Sequence, residues 1–179
     1  MSGPDYEAVW SQARRLVAAR DRAGLLALLD DTDEARRESA VWGVGQLRDP
    51  RDLPRLGELL ADLYVNDAAE GALKDFGAAA EPVLLVALDR PGGAGVLQAL
   101  EALRALGGAD AVEPIARRLD QGDAIERQWA IEALSDIGER GAPAAWVALR
   151  AHAAVETDPE VIDLLDVVLP KPRGDSGAP

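Results

Sequence analysis

Apolar residues recur along this chain at intervals of three and four, the spacing of one face of an α-helix. The segment that contains Ala130, Ala133, Leu134 and Ile137 is one example. Hydrophobic residues make up 48% of the sequence and aromatic residues only 4%. Ala and Leu dominate, which suits close-packed helices better than sheets. The pattern predicts an all-α protein.

A short motif recurs four times: a small residue, an apolar residue, two variable positions, a second apolar residue and usually glycine. It spans residues 72–77, 102–107, 133–138 and, in a divergent form, 43–48. The closing positions are 29, 30 and 31 residues apart. A step of this size is typical of helical-hairpin repeats.

Capping residues follow the same step. Asp33, Asp62 or Asp123 stands fifteen residues before the closing position, and Gly92 takes this place in the remaining unit. A proline follows the closing position by five to seven residues, at positions 54, 82, 114 and 143. Aspartate is a favourable N-cap, glycine ends helices, and proline fits the first helical turn. Each unit is therefore predicted to contain helix A, a glycine turn and a proline-started helix B.

A single hairpin of this length cannot bury its apolar faces alone, so the units are predicted to stack. We predict a right-handed α-α superhelix of about five helical hairpins, forming a single domain over residues 1–169. The predicted units are 6–30, 33–61, 62–90, 92–121, 123–152 and a partial unit, 158–169. Residues 170–179 are rich in Pro and Gly and are predicted to be a disordered tail.

Three stretches resemble the short HEAT-like repeat first described in phycobilisome lyases. They are residues 33–40, residues 47–54 and the pair Leu59-Leu60. The resemblance extends over residues 6–169 and implies a HEAT-like or armadillo-type α-solenoid. It also implies that A helices form the convex side and B helices the concave, partner-facing side. It further implies that the recurrent Asp bonds to Arg37 or Arg127 between neighbouring repeats.

The formal net charge of −13 disfavours binding to nucleic acid, because phosphate backbones repel an acidic protein. The absence of cysteine excludes disulfides and thiolate zinc sites. No segment resembles a signal peptide or is long and apolar enough to span a membrane. We therefore expect a cytoplasmic protein, most simply a monomer, with no bound metal and no cofactor.

The B-helix side opposite the predicted buried residues is the candidate partner-binding face. Its members are Arg55, Glu58, Val83, Val86, Arg90, Ile115, Arg117, Arg118, Trp146, Val147 and Arg150. A strip of arginines bordered by tryptophan suits an acidic or phosphorylated segment. Ordinary solvated helix positions are the alternative. Trp42 joins the candidates because it stands where the repeat has a solvent-facing Glu, whereas Trp10 and Trp129 are interpreted as packing residues.

Other candidate chemistry is weak. His152 is the sole histidine and is expected at the surface, without partners for a metal site or a catalytic triad. The glycine-rich residues 92–95 lack the Lys and Ser/Thr of a phosphate-binding loop. We predict no catalytic residues and a protein–protein interaction scaffold or adaptor. The alternatives are an acidic inhibitor or immunity-type protein that masks a basic partner, and a lyase or glycosylase-like enzyme.

Overall fold

The computed structural model describes residues 6–90 and 93–169 of this chain. Within these ranges the chain forms eleven α-helices and short 3-10 turns, and no β-strand. The all-α prediction is confirmed, and the helices follow one another in pairs at the predicted repeat step. None of the helices in the described ranges is both long enough and apolar enough to cross a lipid bilayer.

Two compact units make up the chain, one ending at Leu106 and the other beginning at Gly107. The helices of unit 1 are α1 (Tyr6–Ala18), α2 (Arg22–Leu28), α3 (Glu34–Leu47), α4 (Leu53–Leu59), α5 (Asn66–Asp75), α6 (Glu81–Leu88) and α7 (Val96–Leu106). Those of unit 2 are α8 (Val112–Gln121), α9 (Ala124–Glu139), α10 (Pro143–Ala153) and α11 (Pro159–Val168). The single domain and the right-handed superhelix stay predictions. The predicted tail, 170–179, and Gly92 lie outside the described residues.

Unit 1 has two layers of helices. The A helices α1, α3, α5 and α7 pack side by side in chain order, and each of α2, α4 and α6 packs against the A helix that follows it. Small residues allow this close approach: a side chain at Gly45 of α3 would come within 2.9 Å of the Ala72 side chain of α5. The core between the layers consists of Leu, Val and Ala side chains.

In unit 2, α9 packs against α8, α10 and α11. Its core includes Ile131 and Leu134 of α9 and Leu149 of α10. Ile115 of α8 is also fully buried. The prediction that Ile115 faces outward was wrong, because this residue lies on the apolar side of α8 that contributes to the core.

The predicted N-caps are largely confirmed. The side chains of Asp33 and Asp123 accept hydrogen bonds from backbone N–H groups in the first turns of α3 and α9. Asp158, at the start of the predicted partial unit, caps α11 in the same way. Asp62 is the exception, since α5 begins only at Asn66. The Asp62 carboxylate instead accepts a bond from the N–H of Tyr64 at 3.0 Å and orders the turn before the helix.

The predicted turns are confirmed after α3 and α5, whereas Gly107 after α7 is not left-handed and the helix end predicted at Gly138 is wrong. Arg48 and Gly77, with φ of 51° and 62°, adopt the left-handed conformation just after α3 and α5. Gly138, predicted to end its helix, lies inside α9, and Gly141 with φ of 103° follows the helix end. A side chain at position 138 would come within 2.5 Å of the Trp146 indole, so this glycine makes room for that ring.

Candidate protein-binding clefts

The predicted arginines of unit 1 are held by the protein itself. Arg55 forms ion pairs with Asp30 at 2.5 Å and with Glu58 at 3.0 Å. Arg90 donates to the backbone carbonyl oxygens of Gly57 at 2.6 Å and Glu58 at 3.5 Å, near the end of α4. These guanidinium groups are already satisfied, so an acidic partner would have to displace existing contacts.

The predicted arginines of unit 2 differ in their surroundings. Arg118 is largely buried and forms an ion pair with Glu126, whereas Arg117 lies 3.6 Å from Glu113. Arg150 is exposed to solvent. Only part of the predicted Arg strip in this unit is therefore open to a partner.

The predicted apolar candidates also differ in solvent exposure. Val86 and Val147 are exposed, whereas Val83 is partly covered and packs beside Gly57 of α4. Trp146 is half-buried against Gly138 of α9. The exposed valines alone keep the accessibility that a partner contact requires.

Trp42 does not lie on the B-helix face. It belongs to α3, an A helix, and its ring meets Trp10 of α1 edge to face, with the ring centroids 5.6 Å apart. Its predicted place on the B-helix face was wrong, because the repeat step puts it at an A-helix position. Whether Trp42 and the B-helix candidates bind a partner stays a prediction.

A cleft of about 660 Å³ in unit 1, lined by residues of α3, α4 and the segments that follow α2 and α4, is here called the acidic cleft. Its lining residues are Leu29, Asp30, Asp31, Arg37, Arg55, Glu58, Leu59, Ala61, Asp62 and Tyr64. Four carboxylates therefore face two guanidinium groups. Asp30 and Glu58 lie at its rim with side chains 75% and 63% exposed, while Leu29 and Leu59 are buried beneath.

Arg37 and Tyr64 form one wall of the acidic cleft. The Arg37 guanidinium lies 5.7 Å from the centre of the Tyr64 ring and 3.7 Å from the Asp62 carboxylate. A hydrogen bond from the backbone N–H of Asp33 lowers the pKa of Asp31, and the hydrogen bond and positive charge of Arg36 lower it further. Tyr64 and its neighbour Leu63 are 65% and 86% exposed. Sequence analysis missed Tyr64, although the pair Leu63-Tyr64 beside the recurrent Asp62 was visible.

A second cleft, of about 360 Å³, lies on the A helices of unit 1 and is here called the tryptophan cleft. Its lining residues are Trp10, Glu38, Trp42, Gln46, Ala68, Gly71, Ala72 and Asp75. The two half-buried indoles form one side, and small residues of α5 form the other.

His152 in unit 2 is buried, so the prediction of a surface histidine was wrong. Only 7% of its side chain is exposed, and its Nε2 lies 2.8 Å from Glu156 Oε2. The same carboxylate accepts hydrogen bonds from Arg127 Nε at 2.8 Å and from the N–H groups of Thr157 and Asp158 at 2.8 and 2.9 Å. This network ties α9, α10 and the start of α11 together.

Glu156 stays ionised in this network over a wide pH range. Burial by itself raises the pKa of a carboxyl group, but hydrogen bonds from two backbone N–H groups, His152 and Arg127 lower the pKa of Glu156 to about 2. The implied ladder from Arg127 to the recurrent aspartate was wrong in detail, because Arg127 pairs with Glu156 instead. Arg37 does reach the recurrent Asp62 of the next repeat.

No metal site emerges from the part of the chain that the structure describes. Within residues 6–90 and 93–169, no three histidine or carboxylate side chains lie close enough together to hold an ion. The His152 network is interpreted as structural, since Glu156 links Arg127 of α9 to His152 of α10 and to the segment before α11.

Comparison with known proteins identifies the repeat. Residues 36–62 match the family described as PBS lyase HEAT-like repeat. No curated protein matches the chain. Among solved structures, a designed armadillo repeat protein in complex with the peptide (KR)4 aligns with a TM-score of 0.48 and 20% identity, over 89% of this chain and 84% of that one. The chain thus carries a HEAT-like repeat, and its successive helix pairs form an all-α repeat array.

Proposed function

We propose that this protein is a non-enzymatic binding module that holds a positively charged segment of another protein in the acidic cleft. The observation that carries the proposal is the excess of carboxylates over guanidinium groups in this cleft, four against two. A protein with a net charge of −13 also attracts basic partners at long range.

The layers of the cleft suit lysine and arginine side chains. Long cationic side chains place their methylene groups on apolar surface and keep the charged end in water. Asp30 and Glu58 provide exposed carboxylates at the rim, and the exposed ring of Tyr64 provides apolar surface on the wall, whereas Leu29 and Leu59 at the base are almost fully buried. The exposed Leu63 and Tyr64 beside the cleft add surface for apolar residues of the same segment.

The charge of the proposed partner is the reverse of the one predicted from the Arg strip. In unit 1, Arg55 and Arg90 are engaged with acceptors of this chain, so they offer little to an acidic ligand. Asp30 and Glu58 are paired as well, but they share the single guanidinium of Arg55, so the three side chains together keep a net negative charge and both carboxylates are more than half exposed. We therefore favour a basic segment over an acidic or phosphorylated one.

Fluorescence anisotropy with a short labelled peptide of alternating lysine and alanine tests this proposal. A glutamate–alanine peptide of the same length is the matched probe. The lysine peptide should bind, and the double variant Asp30→Asn/Glu58→Gln should weaken it about tenfold, as expected for two lost charge pairs at a cleft rim. The glutamate peptide should not bind.

The double variant Asp163→Asn/Asp166→Asn is the control, since it removes two exposed carboxylates from α11 in unit 2. It should leave binding nearly unchanged. If both double variants weaken binding equally and added salt abolishes it steeply, the charge of the whole surface is responsible. That result would favour the acidic inhibitor or immunity-type protein. Tighter binding of the glutamate peptide would contradict the proposal outright.

A further inference from the structure

Gly71 has no evident structural reason to be glycine. It lies in the middle of α5, where glycine costs roughly 1 kcal/mol relative to alanine, and a side chain built there would meet nothing within 4 Å. The other glycines inside the described helices all have close neighbours. They are Gly24, Gly43, Gly45, Gly57 and Gly138, each with an atom within 3.2 Å of the added carbon.

The missing side chain at Gly71 keeps a cleft open. Gly71 lines the tryptophan cleft together with Ala68 and Ala72 of the same helix. Across the cleft lie the indoles of Trp10 and Trp42, which pack on each other at an interplanar angle of 64°. A larger side chain at position 71 would fill this space, so the glycine preserves an aromatic surface that solvent or a ligand can reach.

The charges around the tryptophan cleft favour a cation. Glu38 and Asp75 are its charged lining residues, and both are acidic. Glu38 has no ion-pair partner among the residues that the structure describes. Asp75 lies 4.0 Å from the exposed Arg48 and 3.5 Å from the Gln46 amide. Exposed ion pairs of this length are weak, so Asp75 remains able to bind another positive charge.

We propose that the tryptophan cleft is a second binding site that holds an arginine side chain of a protein partner. Tryptophan attracts cations through the face of its ring, and a planar guanidinium both stacks on an indole and pairs with a carboxylate in two-point fashion. Trp42 and Glu38 are four residues apart on α3 and therefore share one side of that helix. The site lies on the A helices and does not depend on the acidic cleft.

NMR spectroscopy of the four tryptophan indole N–H signals tests this inference. The probe is N-acetyl-arginine methylamide, and its neutral isostere, the citrulline derivative, is the control. The signals of Trp10 and Trp42 should shift in a saturable way with the arginine probe, while those of Trp129 and Trp146 stay in place. The citrulline derivative should bind at least tenfold more weakly.

Gly71→Leu is the informative variant because it fills the cleft in a helix that tolerates leucine well. It should abolish the arginine-dependent shifts while the melting temperature stays unchanged or rises, so that loss of binding cannot reflect unfolding. The variant Asp30→Asn/Glu58→Gln should bind the probe as the parent protein does. Equal shifts with citrulline, equal shifts of all four indoles, or full binding by Gly71→Leu would overturn the proposal.

Discussion

Arg37 in unit 1 and Arg127 in unit 2 hold the same place in their repeats, four residues after the N-cap aspartate, yet their surroundings differ. The Arg37 guanidinium lies 3.7 Å from the Asp62 carboxylate, and Arg37 is one of the residues that line the acidic cleft. Arg127 donates to Glu156 at 2.8 Å inside a network closed by His152. The same position thus contributes to an open cleft in one unit and to a buried ion network in the other.

The carboxylate opposite each arginine explains the difference. Glu156 stands two residues before its N-cap aspartate, receives two backbone N–H groups, and is almost fully buried. Asp62 is one methylene shorter, is partly exposed, and already accepts a bond from Tyr64. A spacing that repeats along the chain therefore does not by itself distinguish a structural ion pair from a binding surface.

The largest expected effect is the difference in the free energy of unfolding between variants that lack the Glu156 carboxylate and variants that lack the Asp62 carboxylate. Glu156→Ala leaves Arg127 and His152 buried without their acceptor and should lower the free energy of unfolding by about 3 kcal/mol. Asp62→Ala should lower it by about 1 kcal/mol or less, because its ion pair is long and partly exposed. Urea denaturation measures both effects, and amide hydrogen exchange assigns them to α9–α11 and α3–α5. Equal losses would remove the distinction between the two units.

Acid should affect unit 2 through Glu156. The pKa of this group falls from its ordinary value of 4.5 to about 2 on folding. Its contribution to stability is therefore complete above pH about 4.5 and is lost as the pH falls toward about 2. The protection factors of the amides in α10 and α11, which correct for the slower intrinsic exchange in acid, should decrease over that range in the parent protein. Glu156→Gln should lose part of this pH dependence, and an unchanged profile would contradict the assignment.

The smallest effect concerns the turns after the A helices. Arg48 adopts a left-handed conformation that Gly77 and Gly141 provide elsewhere at little cost. Arg48→Gly should raise the free energy of unfolding by about 0.5 kcal/mol, since it relieves backbone strain and removes only an exposed ion pair. Thermal denaturation measures the gain. The reverse exchange, Gly77→Arg, should destabilise the protein, and a loss in both variants would argue against strain at Arg48.

The repeat itself could be predicted well because its signals are local. Asp33 and Asp123 cap helices wherever the chain places them, and proline in the first helical turn is favourable in any context. The prediction at Gly138 failed because a glycine can either end a helix or leave space within a helix for a neighbouring side chain. Only the bulk of Trp146, which is eight positions later in the sequence, decides between these roles.

The candidate sites were harder to predict because they depend on contacts between repeats. The positions of Arg55 and Arg90 were visible in the sequence, but each has an acceptor far away along the chain, 25 residues earlier for Arg55 and 33 residues earlier for Arg90. The acceptor of His152, Glu156, is only four residues away, but the burial of this pair depends on packing with α9, which brings Arg127 to Glu156 from 29 residues earlier. Solvent exposure of a charged residue in a repeat array is thus set by its neighbours about one repeat away.

The arginine contacts between successive repeats also determine how the protein responds to alkali. Arg90 reaches the carbonyl groups near the end of α4, and Arg127 reaches Glu156, in both cases across about one repeat. A guanidinium keeps its proton up to a pH above about 12, whereas a lysine ammonium begins to lose it near pH 10. With 17 arginines and only two lysines, the chain keeps these contacts between repeats charged in basic solution. An array that used lysine at the same positions would begin to lose them.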